Sequence, residues 1–442
     1  MARSSRAREE IRRFLDIGAV QVAELDLDGD EAVLSPGPGS PPVTHGEVFV
    51  LVRRGGRPVG TLLGRVPEGA DARVVLAERA RAECAPLPLP SARADAGAPK
   101  DAGLAGEPPY TSVVVATRER AGQLARALDS LLAQDHPRFE IVVVDNAPVT
   151  DETRELVERK YAERVRYVCE RVPGLAIAHN TGLAAVQGEV VAFTDDDVVA
   201  DPRWLTELTA PFAADAGLGC GTGLILPARL TTPAQVLLES HGGFAKGFTP
   251  RTYDPARPPG DEPLFPFTAG RFGSGANMAF RTAVLRSVGG FDPATGAGTA
   301  ARGGDDLYGF VRVLAQGHRL RYTPSALVWH HHRETWQDLE TQAYGYGAGL
   351  TAYLTAVLVN RPALLPAFLA RLPRGLAHAR TLTAVRETEG GGAPGDHDVR
   401  THPWPRRLSR LQRRGMLYGP VGYVRARRAL RATAGATVRG AR

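Results

Sequence analysis

The apolar positions change their period along the chain. Residues 1 to 84 read as a small separate module. Ser5 to Leu15 has the spacing of a short amphipathic helix, and Val48 to Val52 and Val59 to Leu63 flank Arg54-Gly-Gly-Arg-Pro58 as the strands of a hairpin would. Residues 85 to 109 are dense in Pro, Ala and Gly and read as a linker. From Thr111 onward, short apolar runs alternate with helical stripes. Ser112 to Ala116, Ile141 to Val144 and Val165 to Val168 are strands. Leu124, Leu128, Leu131 and Leu132 mark one helix, Leu156, Val157 and Tyr161 a second, and Leu175, Ala178, Gly182, Leu183 and Val186 a third. A further strand runs from Val190 into Asp195. This alternation predicts an α/β fold with a mostly parallel, doubly wound sheet.

The last of those strands ends in Asp195-Asp196-Asp197. Ligands of open α/β sheets bind beyond the carboxyl ends of the strands. Adjacent carboxylates repel unless a cation sits among them. In an extended turn Asp195 and Asp197 point one way and Asp196 the other. Two such oxygens suit a hard divalent ion that keeps waters and binds a diphosphate. Thr117 and Asp145 end two other strands, which adds polar groups to the same crevice. No Gly-x-Gly-x-x-Gly follows the first strand and no Gly-x-x-x-x-Gly-Lys-Ser/Thr occurs, which disfavours a dinucleotide cofactor and a phosphate-loop NTPase.

Downstream, 219–266 is Gly- and Pro-rich and weakly patterned. Phe272-Gly-Ser-Gly-Ala-Asn-Met-Ala-Phe280 has small residues that let backbone approach a ligand. Gly296 to Gly304 reads as a mobile loop delivering Asp305-Asp306 to the start of a helix marked by Leu307, Phe310, Val311 and Leu314. Val328-Trp-His-His-His-Arg333 offers metal or diphosphate contacts at a strand end. Leu350 to Leu372 is apolar but broken by Arg361, Pro362 and Pro366, so it reads as an interfacial segment or a core helix pair rather than a bilayer span.

Composition narrows the class. The chain has 442 residues, 43% hydrophobic and 23% charged, an ordinary globular balance. Its three cysteines are widely spaced, which fits a reducing compartment without disulfides. An Arg- and Glu-rich start is not a secretory signal. The net charge of +6 is uneven: 16 arginines and 4 acidic residues between 371 and 442 give a local +12 and leave −6 for the rest. Such a tail meets an anionic partner or serves as a solubilising helix. Only Trp404, Tyr418 and Tyr423 accompany the arginines as stacking groups, so no nucleic-acid partner is expected.

Several segments between about 110 and 354 resemble family 2 inverting nucleotide-sugar glycosyltransferases of the GT-A fold. They are Val-Val-Val-Ala-Thr-Arg-Glu-Arg120, Val-Val-Val-Asp145-Asn, Pro173 to Gly182, Gly188 to Asp197, Gly275-Ala-Asn-Met-Ala-Phe280, Gly289-Gly-Phe-Asp292 and Gly303-Gly-Asp-Asp306. Two departures stand out. Asp305-Asp306 replaces the usual Glu-Asp pair, and His179 stands where arginine is common. The resemblance implies a GT-A domain over 110–349, with a small α+β module at 1–84, a linker at 85–109 and a helical, Arg-rich region at 350–442.

It also implies roles. Asp145 accepts a hydrogen bond from the nucleotide base, with Thr117, Arg118, Asn180 and Asp196 as further nucleotide contacts. Asp195 holds ribose or a metal-bound water, and Asp197 ligates Mg2+ or Mn2+. His330 and His332 add metal or phosphate contacts. Gly275, Ala276, Asn277 and Arg333 contact the acceptor or donor sugar. Asp306 is the catalytic base and Asp305 orients the acceptor. The expected partners are a nucleotide-sugar donor, UDP-sugar favoured with dTDP and GDP donors also open, and a glycan, lipid-linked or small-molecule acceptor. The expected location is cytoplasmic, with an anionic membrane at the inner face of the plasma membrane as a peripheral partner. The rival readings are a sugar-nucleotide nucleotidyltransferase and a non-catalytic nucleotide-sugar-binding module.

Overall fold

The computed structural model describes residues 14–28, 31–84, 107–241, 243–374 and 404–440. Most of the expected Ser5 to Leu15 helix and nearly all of the 85–109 linker lie outside them.

The apolar runs become strands because both of their faces are covered. β5 (Thr111–Thr117), β6 (Phe139–Asn146), β7 (Val165–Glu170) and β8 (Val190–Asp195) lie parallel in the order β8-β5-β6-β7. Val113, Val114, Val115, Val142, Val143 and Val191 have no exposed surface. The helices Ala121–Leu132 and Leu175–Ala185 bury their stripes on opposite faces, in two separate clusters. β6 and β8 flank β5 on either side, so the strand order reverses at β5. The register pairs Thr117 with Asp145 and Ala116 with Asp195. Those carboxyl ends therefore line one crevice at a topological switch point.

Beyond β8 the sheet continues through Asn277–Arg281 (β12), Leu218–Pro227 (β10), Arg319–His330 (β13) and Arg251–Tyr253 (β11), with β9 (Val198–Ala200) paired to β13. β12 (Asn277–Arg281) runs antiparallel to β8 and β10, which makes the whole nine-stranded sheet mixed. β10 (Leu218–Pro227) is a fully buried central strand in the stretch expected to be weakly patterned. Its alternating glycines mark close contact rather than a loop. A Cβ on Gly219 would stand 2.7 Å from Val313, one on Gly221 3.1 Å from Phe212, and one on Gly223 2.1 Å from the Ala326 carbonyl. β13 (Arg319–His330) pairs His330 with Val198, next to the aspartate run, and β11 (Arg251–Tyr253) closes the edge.

The amino-terminal strands form their own sheet, β2-β1-β3-β4, with β1 at Gln21–Asp26, β2 at Val33–Pro36, β3 at Gly46–Arg54 and β4 at Arg57–Val66. The hairpin between β3 and β4 turns on Gly55 and Gly56, at φ +58° and +67°, values that favour glycine. The helix Ala72–Glu83 covers this sheet with Leu76, Ala77 and Ala80. The sheet is also docked on the larger one. Phe49 and Leu51 join Leu224, Leu226 and Trp329 in one apolar cluster, and Arg53 pairs with Asp201 at 2.7 Å and Glu24 at 2.7 Å.

A boundary expected between 349 and 350 falls inside the continuous helix Trp336–Asn360. Its Ala352, Tyr353, Ala356 and Val357 are buried in the main core, so this part of the 350–372 stretch is core helix. No single helix among the described residues is long and apolar enough to cross a membrane. The basic helix Arg406–Gly440 runs along it, residue numbers rising together: Arg407 pairs with Glu340, and Thr351 donates to the Met416 carbonyl at 2.8 Å. Glycine makes this approach possible. A Cβ on Gly415 would stand 2.1 Å from the Tyr344 carbonyl, and one on Gly347 1.9 Å from the Gln412 carbonyl. Midway along the basic helix, the Tyr423 hydroxyl donates to Asp292 at 2.9 Å. The basic helix is thus part of the fold. Gly415→Leu forces the two helices apart, and overpacking of this kind costs about 1–3 kcal/mol. Urea unfolding should show that loss with an unchanged m-value; a wild-type midpoint would contradict the close packing.

Candidate active site

The aspartate run separates its three side chains. Asp196 is buried and faces the protein: Thr117 Oγ1 donates to it at 2.7 Å and Arg120 Nη1 at 3.0 Å. Arg120 also reaches Asp197 at 3.7 Å. Asp195 and Asp197 turn the other way. With His330 they bring one donor atom each within 4.8 Å of one another, and His330 Nε2 lies 3.3 Å from Asp197 Oδ1. Burial first, then the charges of Asp197 and Asp196, push the Asp195 carboxyl well above the usual carboxylate range. Asp197 Oδ1 is buried without a hydrogen-bond donor. Two carboxylates and an imidazole, one of their oxygens lacking a donor, fit a divalent ion such as Mn2+ or Mg2+.

His332, expected at this cluster, stands one step behind it. β13 ends at His330, so the alternation of the strand no longer directs His332 to the same face. Its Nε2 lies 3.1 Å from Glu239 Oε2, on the helix Pro233–Ser240, and its Nδ1 lies 3.1 Å from His330 Nδ1. With the Glu239 carboxylate as acceptor, these contacts fit one pair of tautomers. The Glu239 carboxylate can only accept, so His332 donates from Nε2 and its Nδ1 is the acceptor. His330 must then donate from Nδ1, which leaves its Nε2 lone pair facing Asp197. Burial lowers the His330 pKa to about 4, which keeps the ring neutral and able to ligate. Such outer contacts orient metal-ligating histidines.

The acidic pair of the later helix also divides. Asp305 is buried, and His179 Nδ1 lies 3.1 Å from its Oδ2. His179 is 1% exposed and packs between Phe193 and Phe291, at ring separations of 5.0 and 5.2 Å. Asp305 therefore faces inward, toward His179, instead of toward an acceptor. His179, where the resemblance has arginine, is enclosed with it. Asp306 is half-buried, and the amides of Gly275 and Leu307 donate to it at 2.9 and 2.8 Å. Burial and the neighbouring Asp305 charge push its pKa up to about 6. Gly275 lies two residues before Asn277, which pairs with Thr194 beside Asp195, so the Gly275 contact sets Asp306 near the carboxyl end of β8.

Other expected contacts are spent on the scaffold. Asn180 exchanges both amide groups with the Phe291 backbone, at 2.8 and 2.9 Å. Asn277 is fully buried, accepting from Trp204 Nε1 and donating to the Leu224 and Ala326 carbonyls. Asn277 has no group left for nucleotide or sugar, whereas the half-buried Asn180 keeps one amide N–H. The Ala276 carbonyl accepts from Thr194 at 2.8 Å. Asp145 is fully buried and accepts from the Tyr167 hydroxyl at 2.9 Å, with its Oδ1 unpartnered. Arg118 and Arg333 are exposed. Arg120, Tyr167 and Glu239 were not legible as site residues. Glu119, at φ +55°, turns the chain so that Arg120 rather than Arg118 meets the aspartates.

The loop 296–304 is not an open flap. Gly296 and Gly303 bridge as antiparallel strands, Leu175 donates to the Ala297 carbonyl at 2.9 Å, and Ala301 is fully buried. Gly303 and Gly304 pack on Gly349, and Gly422 of the basic helix packs on Ala300. The expected mobile loop is instead a fixed turn, held between two helices.

Residues 112–286 match the model of glycosyl transferase family 2. That segment is a family 2 glycosyltransferase domain. The chain is 34% identical over 111 residues to an uncharacterized glycosyltransferase of Nostoc sp., covering 24% of this chain and 34% of that protein. It is 26% identical over 236 residues to the pre-mycofactocin glycosyltransferase of Mycobacterium tuberculosis, covering 53% of this chain and 46% of that protein. The chain thus spans less than half the length of these relatives. It also aligns with a mannosyltransferase from Pyrobaculum calidifontis solved with GDP-Man and Mn2+, at a TM-score of 0.43 and 22% identity, over 72% of this chain and 89% of that one.

The tautomer chain has a consequence for the cluster alone. A glutamine at 239 can donate as well as accept, so Glu239→Gln weakens the bias that leaves His330 Nε2 unprotonated. Outer-contact substitutions typically cost about 10- to 100-fold in metal affinity. Titration of Mn2+ by electron paramagnetic resonance should show a loss of that order; wild-type affinity would remove Glu239 from the account.

Proposed function

We propose that the chain is a metal-dependent inverting glycosyltransferase, moving a sugar from a nucleotide-sugar donor to an acceptor hydroxyl. One observation carries this reading: a cation-fitting cluster lies at the carboxyl end of β8, and a half-buried carboxylate of raised pKa, Asp306, is held by Gly275 close to the same strand end. Asp195, Asp197 and His330 would hold Mn2+ or Mg2+, the imidazole nitrogen favouring manganese. When bound, the ion would neutralise the diphosphate leaving group. Asp196, fixed by Thr117 and Arg120, holds the turn that presents these ligands. A UDP-sugar is the favoured donor. Asp145 and the exposed Arg118 would contact the nucleotide, and the exposed Arg333 the sugar. The acceptor is a glycan, a lipid-linked glycan or a small metabolite.

Inversion needs a single in-line displacement, with the acceptor hydroxyl attacking opposite the diphosphate. A carboxylate must take its proton as the bond forms. Asp306 is suited to this, because it is outside the cation-fitting cluster and its pKa lies near the working pH. Asp305 supports it from behind as a buried partner of His179.

Purified protein incubated with a panel of nucleotide sugars, with manganese or with chelator, tests the activity by release of nucleoside diphosphate. Metal-dependent release from one donor is expected; no release from any of them in either condition would contradict it. Asp306→Asn keeps shape and removes basicity, so turnover should fall about 100- to 10,000-fold with UDP affinity nearly unchanged. In the wild type kcat/KM should rise with pH up to about 6, as Asp306 loses its proton, and level off above. A wild-type rate in Asp306→Asn would assign the base elsewhere.

A further inference from the structure

The helix Arg406–Gly440 buries one face and exposes the other. Between 406 and 432 it holds nine arginines and no acidic residue. Leu408, Gly415, Gly419, Gly422, Tyr423 and Ala426 face the protein. At 100° per residue, Arg406, Arg410, Arg414, Leu417, Val421, Val424, Arg428 and Arg431 fall on one opposite stripe. All eight are exposed: Leu417 is 82% exposed, Val421 49% and Val424 42%. The apolar residues occupy the middle of the stripe and the arginines its two ends. At the first end Arg407, Arg410, Leu411, Arg413 and Arg414 also line a cleft.

We propose that this stripe docks the protein on an anionic lipid bilayer, lying flat with Leu417, Val421 and Val424 among the acyl chains and the arginines on lipid phosphates. Two features select this occupant. A bilayer surface satisfies both the positive ends and the apolar centre, and each basic residue near it adds electrostatic attraction. A nucleic-acid backbone would meet the arginines but gain nothing from three exposed aliphatic side chains, and no aromatic residue lies on the stripe to stack bases. The stripe differs from the apolar 350–372 stretch, whose first half is core helix. Its buried face carries the fixed turn that leads into Asp305 and Asp306, through the contact of Gly422 with Ala300. The docked surface and the acceptor side of the crevice are thus built on one helix. The docking itself needs no substrate assignment, so it stands or falls apart from the transferase reading.

Flotation of the full chain with vesicles of phosphatidylglycerol and phosphatidylcholine, against phosphatidylcholine alone, tests the proposal. Recovery on the anionic vesicles at low salt, and its loss at high salt, is expected. R410Q/R414Q/R428Q should weaken binding on the order of 100-fold, at about fivefold per basic residue. L417D should weaken it as well, without altering the far-ultraviolet circular dichroism. Equal recovery on both vesicles, none on either, or wild-type binding by both variants would overturn the proposal. So would concentration-dependent dimerisation that L417D abolishes without any vesicle binding, which would give the stripe to a second copy.

Discussion

Three consecutive carboxylates cannot be left together in a low-dielectric crevice, and much of the structure around β8 answers that constraint. The turn between β8 and β9 directs the middle one inward, where Thr117 and Arg120 neutralise and fix it. The outer two remain close to each other and to a neutral imidazole. Their repulsion is what gives the site its appetite for a cation. The sheet supplies the pieces from three separate strands. β5 brings Thr117, β8 brings the aspartates, and β13 brings His330 through its pairing with β9.

Around that centre, buried polar contacts set what each group can do. The Glu239–His332–His330 chain decides which imidazole nitrogen is bare. The His179–Asp305 pair fixes a buried charge beside Asp306, and burial with that charge raises the basicity of Asp306 into a useful range. The turn before Asp305 is held by helix packing, so Asp306 follows a packed segment and not an open flap. Rigidity of this kind suits catalysis by preorganised groups.

The strands β5 to β8 and their helices were legible because apolar runs with both faces covered leave a plain pattern. Asp195 and Asp197 do come together, but through the turn between β8 and β9 and not through strand alternation. β10 was not legible: its glycines look like a loop, and their reason lies in Phe212, Val313 and Ala326, all distant in sequence. The basic helix hid its packing in the same way, since Gly347 and Gly415 reveal a helix crossing only when the two helices are seen together. Asn277 looks like a ligand-binding amide in the sequence, yet a buried amide beside free backbone groups is used up by them. Asp305 and Asp306 are adjacent and chemically alike. Only the position of His179 tells which one faces the crevice.

Anomalous diffraction from crystals soaked with Mn2+ and UDP is the most direct measure of the central claim, that the outer aspartates and His330 form a cation site for a nucleoside diphosphate. A single manganese peak bonded to Asp195 or Asp197 and to His330 Nε2, with the diphosphate completing its coordination, is the predicted result. Manganese bound away from these residues, or UDP bound in the crevice with the diphosphate turned from them, would contradict it.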